Sequence, residues 1–192
     1  MQSPSRSSPV ASPPRKETFV DLMFRELGGA LRSPSPGQAL EAVAEVVARI
    51  PDFVTEYRDD IDANCALASS STLLDDARLV GRFMREHEPS ARAASGGPLE
   101  DLVGAQLGEF VAAHWKNNEW AFLSDFTGFA QYRLKQLARR AFPSDRAFLD
   151  RLDDVSHAAD HLSDFFNEMR GADEDSQDEE VKRARFGSKS EE

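Results

Sequence analysis

Five residues near the C-terminal end of this chain, Asp153, Asp154, His157, His161 and Asp164, have types and spacing that could do chemistry. Positions four apart on a helix share a face, and imidazole nitrogen with carboxylate oxygen is a ligand set for a divalent metal. The apolar residues of the same stretch fall on the other face, so the five are more simply the solvated side of an amphipathic helix. No metal and no other cofactor is expected. Cys65 with His87 or His114 could make a nucleophile pair, but no local signature surrounds any of the three, and a small thiol with no reactive role is the simpler reading. Trp115, Trp120, Phe122, Phe126 and Phe129 could stack on bases or a ligand, yet at helical spacing they read as aromatic core. The chain has no GxxxxGK[ST], no GxGxxG and no GxSxG, and Gly28-Gly29 and Gly96-Gly97 are isolated pairs better read as breaks. The expectation is a protein that is not an enzyme.

The elements that would position these residues are helical. Phe19, Met23, Leu27 and Ala30 lie on one face of a first helix, which Gly28-Gly29 weakens before the SPSPG break. Leu40, Val43, Val47 and Ile50 mark a second, with Pro51 at or near its end. Leu73, Ala77, Val80 and Met84 mark a third, ended by Pro89. Leu99, Leu102, Leu107, Phe110 and Val111 place a fourth, and Trp120, Leu123, Phe126, Phe129 and either Leu134 or Leu137 a fifth, stopping before Pro143. Ser144-Asp145 opens a sixth, whose Phe148, Leu152, Val155, Ala159, Leu162, Phe166 and Met169 form a narrow apolar seam suited to another helix. No run alternates with period two. The fold class expected is all-α, a single bundle of about six amphipathic helices.

Composition bounds the rest. The 192 residues carry 23 basic and 34 acidic side chains, a net charge of −11, which argues against coating nucleic acid through a broad basic surface. An apolar fraction of 40% with 13 phenylalanines argues against wholesale disorder, and the single cysteine excludes an intramolecular disulfide framework or a Cys-rich zinc site. No run approaches the eighteen apolar residues of a membrane span, and MQSPSRSSPVASPP is no signal peptide. Residues 1–16 are Pro- and Ser-rich and are expected to be a disordered tail. Residues 17–170 are the helical domain. Residues 171–192, an acidic block followed by the KRAR cluster, are expected to be a second disordered tail. Ser-Pro pairs such as Ser33-Pro34 and Ser35-Pro36 read as linker, with proline-directed phosphorylation as the alternative.

Several stretches, in order, resemble the Bcl-two apoptosis regulators. Residues 16–27 resemble the fourth homology region in Glu17, Val20-Asp21, Leu22-Met23 and Leu27. Residues 43–54 resemble the third, with the ladder Val43, Val47, Ile50 and Val54 and the aspartate Asp52, although Pro51 stands where the family places a small residue. Residues 77–84 resemble the core of the first, with Arg78 in the arginine position but Asp75-Asp76-Ala77 in place of Asn-Trp-Gly. Residues 115–132 loosely resemble the second in Trp120, Phe129 and Tyr132. Around residues 75–118 the chain is more narrowly similar to the adenovirus early-region small T antigen family of viral Bcl-two homologues, through Phe83, Ser95-Gly96-Gly97, Leu99 and Asp101.

The resemblance implies a Bcl-two-like bundle with a hydrophobic groove that captures pro-apoptotic partners of the Bax and Bak type and blocks death of an infected cell. The groove would include Val47, Ile50, Asp52, Arg78, Val80 and Phe83, with Arg78 meeting an aspartate of the incoming helix. It implies an intracellular protein of the host cytoplasm, associating with the nuclear envelope or mitochondria through its partners, and no direct contact with nucleic acid. The alternative is a helical structural or assembly subunit, such as a viral coat or nucleic-acid scaffold, using the seam of the last helix or Arg133, Arg139, Arg140 and Arg146.

Overall fold

A computed structural model describes residues 16–87, 98–115, 119–141 and 143–187. Residues 1–15, with most of the N-terminal Ser-Pro pairs, lie outside the described residues, as do Ser95-Gly96-Gly97 and the side chains of Leu99, Asp101, Leu102 and Trp120. All regular structure among the described residues is helical. The helices are α1 (Phe19–Ala30), α2 (Pro36–Ala48), α3 (Ile50–Glu56), α4 (Ile61–His87), α5 (Pro98–His114), α6 (Glu119–Gly128), α7 (Lys135–Ala141) and α8 (Arg146–Gly187). A π-helical turn at Phe129–Leu134 joins α6 to α7, so the eight segments make seven rods. None of them is long and apolar enough to cross a membrane.

Local chemistry explains most boundaries. Thr18 caps α1, its hydroxyl accepting from the Asp21 amide at 3.1 Å while the Asp21 carboxylate accepts from the Thr18 amide at 2.7 Å, a closed capping box. Ser35 caps α2, its hydroxyl accepting from the Gln38 amide, and Pro36 follows in the first turn, where a missing N–H costs nothing. Ser35-Pro36 is thus a helix start rather than linker. The same logic corrects the reading of Pro51. The chain breaks earlier, at Arg49, and Pro51 stands in the first turn of α3, so it opens a helix instead of ending one. Asp145 caps α8 by accepting from the Phe148 amide at 3.0 Å.

The core joins every rod. On α1, Phe19, Met23 and Leu27 are fully buried. Helices α2 and α4 make the most intimate contact, through two buried glycines: a Cβ placed on Gly81 would lie 3.3 Å from the Leu40 Cβ and 3.5 Å from the Gly37 carbonyl oxygen. Helix α8 packs against α4 on one side and α6 on the other. Its buried face is therefore wider than a seam, taking in Ser156, Ala158, Ser163 and Phe165 beside the expected residues. The Ser156 hydroxyl donates to the Thr127 carbonyl and that of Thr127 to the Leu123 carbonyl, which satisfies both buried groups. Antiparallel register between α4 and α8 is fixed by His87 beside Phe148, Arg151 paired with Glu86, and His161 with Asp76 at 3.2 Å.

Two regions depart from expectation. Helix α4 begins twelve residues before Leu73, and over Ile61–Thr72 buries only Ala63 and Ala66. Helix α8 continues through residues 171–187, which composition assigned to a tail.

Candidate functional site

The residues read as a groove do not form one. Val47, Ile50, Val80 and Phe83 have no exposed surface and belong to the continuous core, filled by the α2–α4 contact and by α8. Arg78 is exposed on α4 and Asp52 exposed on α3, and neither side chain makes a hydrogen bond or ion pair among the described residues. An apolar ladder facing a groove and one facing a core have the same period, and here the core takes it.

The histidine chemistry is also dispersed. No group of three or more metal-capable side chains comes together among the described residues. Asp153 instead pairs with Lys135, whose hydrogen bond holds its carboxyl below the ordinary range despite some opposing burial, and His161 pairs with Asp76 across to α4. Cys65 is exposed near the start of α4, and His87 lies twenty-two residues further along the same helix, about 33 Å away at 1.5 Å per residue. His114 is on another helix, α5.

An open apolar surface lies elsewhere, between α5 and the α6–π–α7 rod. Phe110 is the hub. Its ring stacks on Phe129 at 4.3 Å between centroids and on His114 at 4.4 Å, and meets Phe122 and Phe126 at 5.5 and 6.1 Å. Trp115 closes the far end edge-on to Phe122. The aromatic cluster was legible as core, and Phe122 and Phe126 are core. Phe129 is only half-buried, and with Phe110 it floors a cleft of about 460 Å³ bordered by Gln106, Glu109, His114, Gly128 and Arg133.

The π turn creates this opening. In an unbroken α-helix the face of Phe126 would recur near position 133, which is Arg133. One extra residue in the turn brings Ala130, Leu134 and Ala138 onto the buried face, spaced by four from Phe126, and leaves Phe129 and Arg133 at the cleft. Next to it Tyr132 is 67% exposed, unusual for a large ring. Glu109 and Arg133 are both exposed and make no ion pair with one another. The site offers a flat aromatic floor, a cation on one rim, a carboxylate on the other, and His114 within 3.7 Å of Asp125 at the edge. Such a surface can bind, and among the described residues no metal-ligand cluster is assembled on it. Spacing alone points to none of this, since it places Phe110 on a fourth helix and Phe129 on a fifth with nothing to join them. No protein-family model, curated protein or solved structure significantly matches this chain.

Proposed function

We propose that this protein is a non-catalytic helical module that captures an amphipathic helix from a partner protein, and that the cleft between α5 and the π turn is where it does so. The partner class is the one the Bcl-two resemblance implies, a pro-apoptotic helix of the Bax or Bak type. The observation that carries the reading is the half-buried Phe129 stacked on the buried Phe110 at the floor of a cleft whose rim carries Arg133, a cation with no ion pair among the described residues. Helix-in-groove recognition needs an apolar floor for the partner's spaced anchors and a charged rim to fix its register. On this geometry the acid of the incoming helix meets Arg133 rather than Arg78.

The test is a titration of the full chain against a fluorescent Bax- or Bak-derived helix. Binding at micromolar concentration is expected, weakened at least about tenfold by Phe129→Ala and by Arg133→Glu, since loss of one buried anchor or charge pair costs upwards of ~1.4 kcal/mol. Arg78→Ala should leave it unchanged. No binding at micromolar concentration would dispose of the partner class. Loss on Arg78→Ala with none on Arg133→Glu would return the capture site to α4.

A further inference from the structure

The described residues hold two charge clusters of opposite sign and nearly matched composition. Residues 52–62 carry five acids, Asp52, Glu56, Asp59, Asp60 and Asp62, against a single cation, Arg58. Residues 133–146 carry five cations, Arg133, Lys135, Arg139, Arg140 and Arg146, against a single acid, Asp145. On a chain with eleven more acids than bases, the second cluster is the anomaly.

The fold sets these clusters at opposite ends. The acidic segment runs through α3 straight into the first turn of α4. The basic segment ends at the first residue of α8, and the start of α8 lies against the last turn of α4 through Phe148 on His87 and Arg151 on Glu86. Helix α4 therefore separates them, and its 27 residues span about 40 Å. Neither cluster can neutralise the other within one molecule.

The basic end is also shaped to receive something. Lys135, Arg139, Arg146, Leu149, Asp150 and Asp153 border a cleft of about 420 Å³ at the α7–α8 corner, three cations against two acids. Lys135 pairs with Asp153, whose charge Arg139 also feels, but Arg139, Arg140 and Arg146 are exposed and make no salt bridge among the described residues. At the acidic end Asp60 caps α4 through the amides of Asp62 and Ala63, while Glu56 and Asp59 are exposed and make no ion pair there.

We infer that this protein associates with itself head to tail, the acidic α3–α4 corner of one copy docking on the basic α7–α8 cleft of the next. Two carboxylates meeting two planar guanidinium forks give the geometry in which arginine is strongest. Because the surfaces differ and lie at opposite ends, the contact is heterologous, so each added copy leaves one of each end exposed and the assembly grows as an open chain. The overall charge of −11 opposes close approach of copies, but at about 0.1 M salt repulsion beyond ~10 Å is screened while contact pairs persist. Lys16 borders the acidic corner beside Glu56 and Asp59, so the full chain is the form to test.

The experiment is sedimentation of the full chain over a range of concentrations. At about 0.1 M salt the mass should climb with concentration beyond that of a dimer, and at about 1 M, where charges are screened within ~3 Å, return to 21.3 kDa. The double variants Arg139→Glu with Arg146→Glu, and Glu56→Arg with Asp59→Arg, should each stay monomeric alone. Mixed in equal amounts they should associate again, since one then presents two acidic ends and the other two basic ends, a rescue that misfolding would not produce. A monomer up to about 0.5 mM, which places any affinity weaker than roughly −5 kcal/mol, would overturn the inference. So would an assembly indifferent to salt, association of either variant alone, or a mixture that stays monomeric. Neither variant alters Phe129 or Arg133, so helix capture and self-association fail independently.

Discussion

The α2–α4 contact and the α5–α6 contact bring helices together with opposite materials. At the first, Gly37 and Gly81 remove side chains from the crossing, the backbones approach until a Cβ would crowd Leu40, and the seam closes. At the second, Phe110, Phe122, Phe126 and Phe129 fill the gap with rings 4.3 to 6.1 Å apart, and the helices stay separated enough to leave a cleft. Close backbone approach yields a sealed joint whose apolar residues are unavailable to any partner. Ring packing yields stability from large buried faces together with an edge that solvent, or a partner, can reach.

Four substitutions break or sharpen that contrast. Phe126→Ala should have the largest effect, about 3–5 kcal/mol lost in urea denaturation, because its fully buried ring packs on both Phe110 and Phe122 at the centre of the aromatic cluster. A loss under ~1 kcal/mol would mean that the cluster is collapsible and the cleft no fixed feature. Gly81→Leu comes next, at about 1–3 kcal/mol, since the new atoms face a Cβ and backbone that cannot swing aside. Gly29→Ala tests the converse. No atom lies within 4 Å of the new methyl group and the residue sits inside α1, so the melting temperature should rise with a gain of about 0.4–1 kcal/mol.

The smallest effect concerns the pair that ties α4 to α8. Burial pushes the Asp76 carboxyl above its ordinary value, and the hydrogen bond and charge of His161 pull it partly back. An acid raised on folding holds its proton more tightly in the fold, so its contribution falls as pH climbs from the unfolded value of ~3.9 through the folded one. Asp76→Asn should therefore match or slightly exceed the parent at pH 7, by less than about 1 kcal/mol, with the difference closing near pH 4. Thermal melts at the two pH values decide it, and a clear loss at pH 7 would show that the His161 contact outweighs the burial.

Periodicity was enough to locate α1, the second half of α4 and the core face of α8, because each repeats an apolar residue every three or four positions over several turns. It was silent where helices form without that stripe. Ile61–Thr72 is built from small and polar residues, and it is helical because it extends a rod already anchored at Leu73, Ala77 and Val80. Residues 171–187 extend α8 in the same way, which composition took for a tail. Pro51 misled because proline is tolerated in a first turn as readily as it ends a last one. The candidate site was half legible. Its rings were named, but a stripe cannot say which ring remains half-buried, and the groove set Val47, Ile50, Val80 and Phe83 failed for the same reason in reverse. From spacing alone Arg133 is one arginine of a basic run, because nothing in the sequence announces the π turn that carries it to the cleft.

That turn acts as a phase shifter. Each residue in an α-helix advances about 100° around the axis, so drawing Phe129–Leu134 into a regular α-helix with no residue removed would rotate everything beyond it by roughly a quarter turn. Ala138 would leave the core, Lys135 would swing off Asp153, and the arginines of α7 would point to a new quarter of the surface, all without a change upstream of residue 129. Deleting one residue within the turn does the opposite: Leu134 and Ala138 then fall seven and eleven positions after Phe126 in a regular helix, and the direction in which the molecule presents its positive charge is kept.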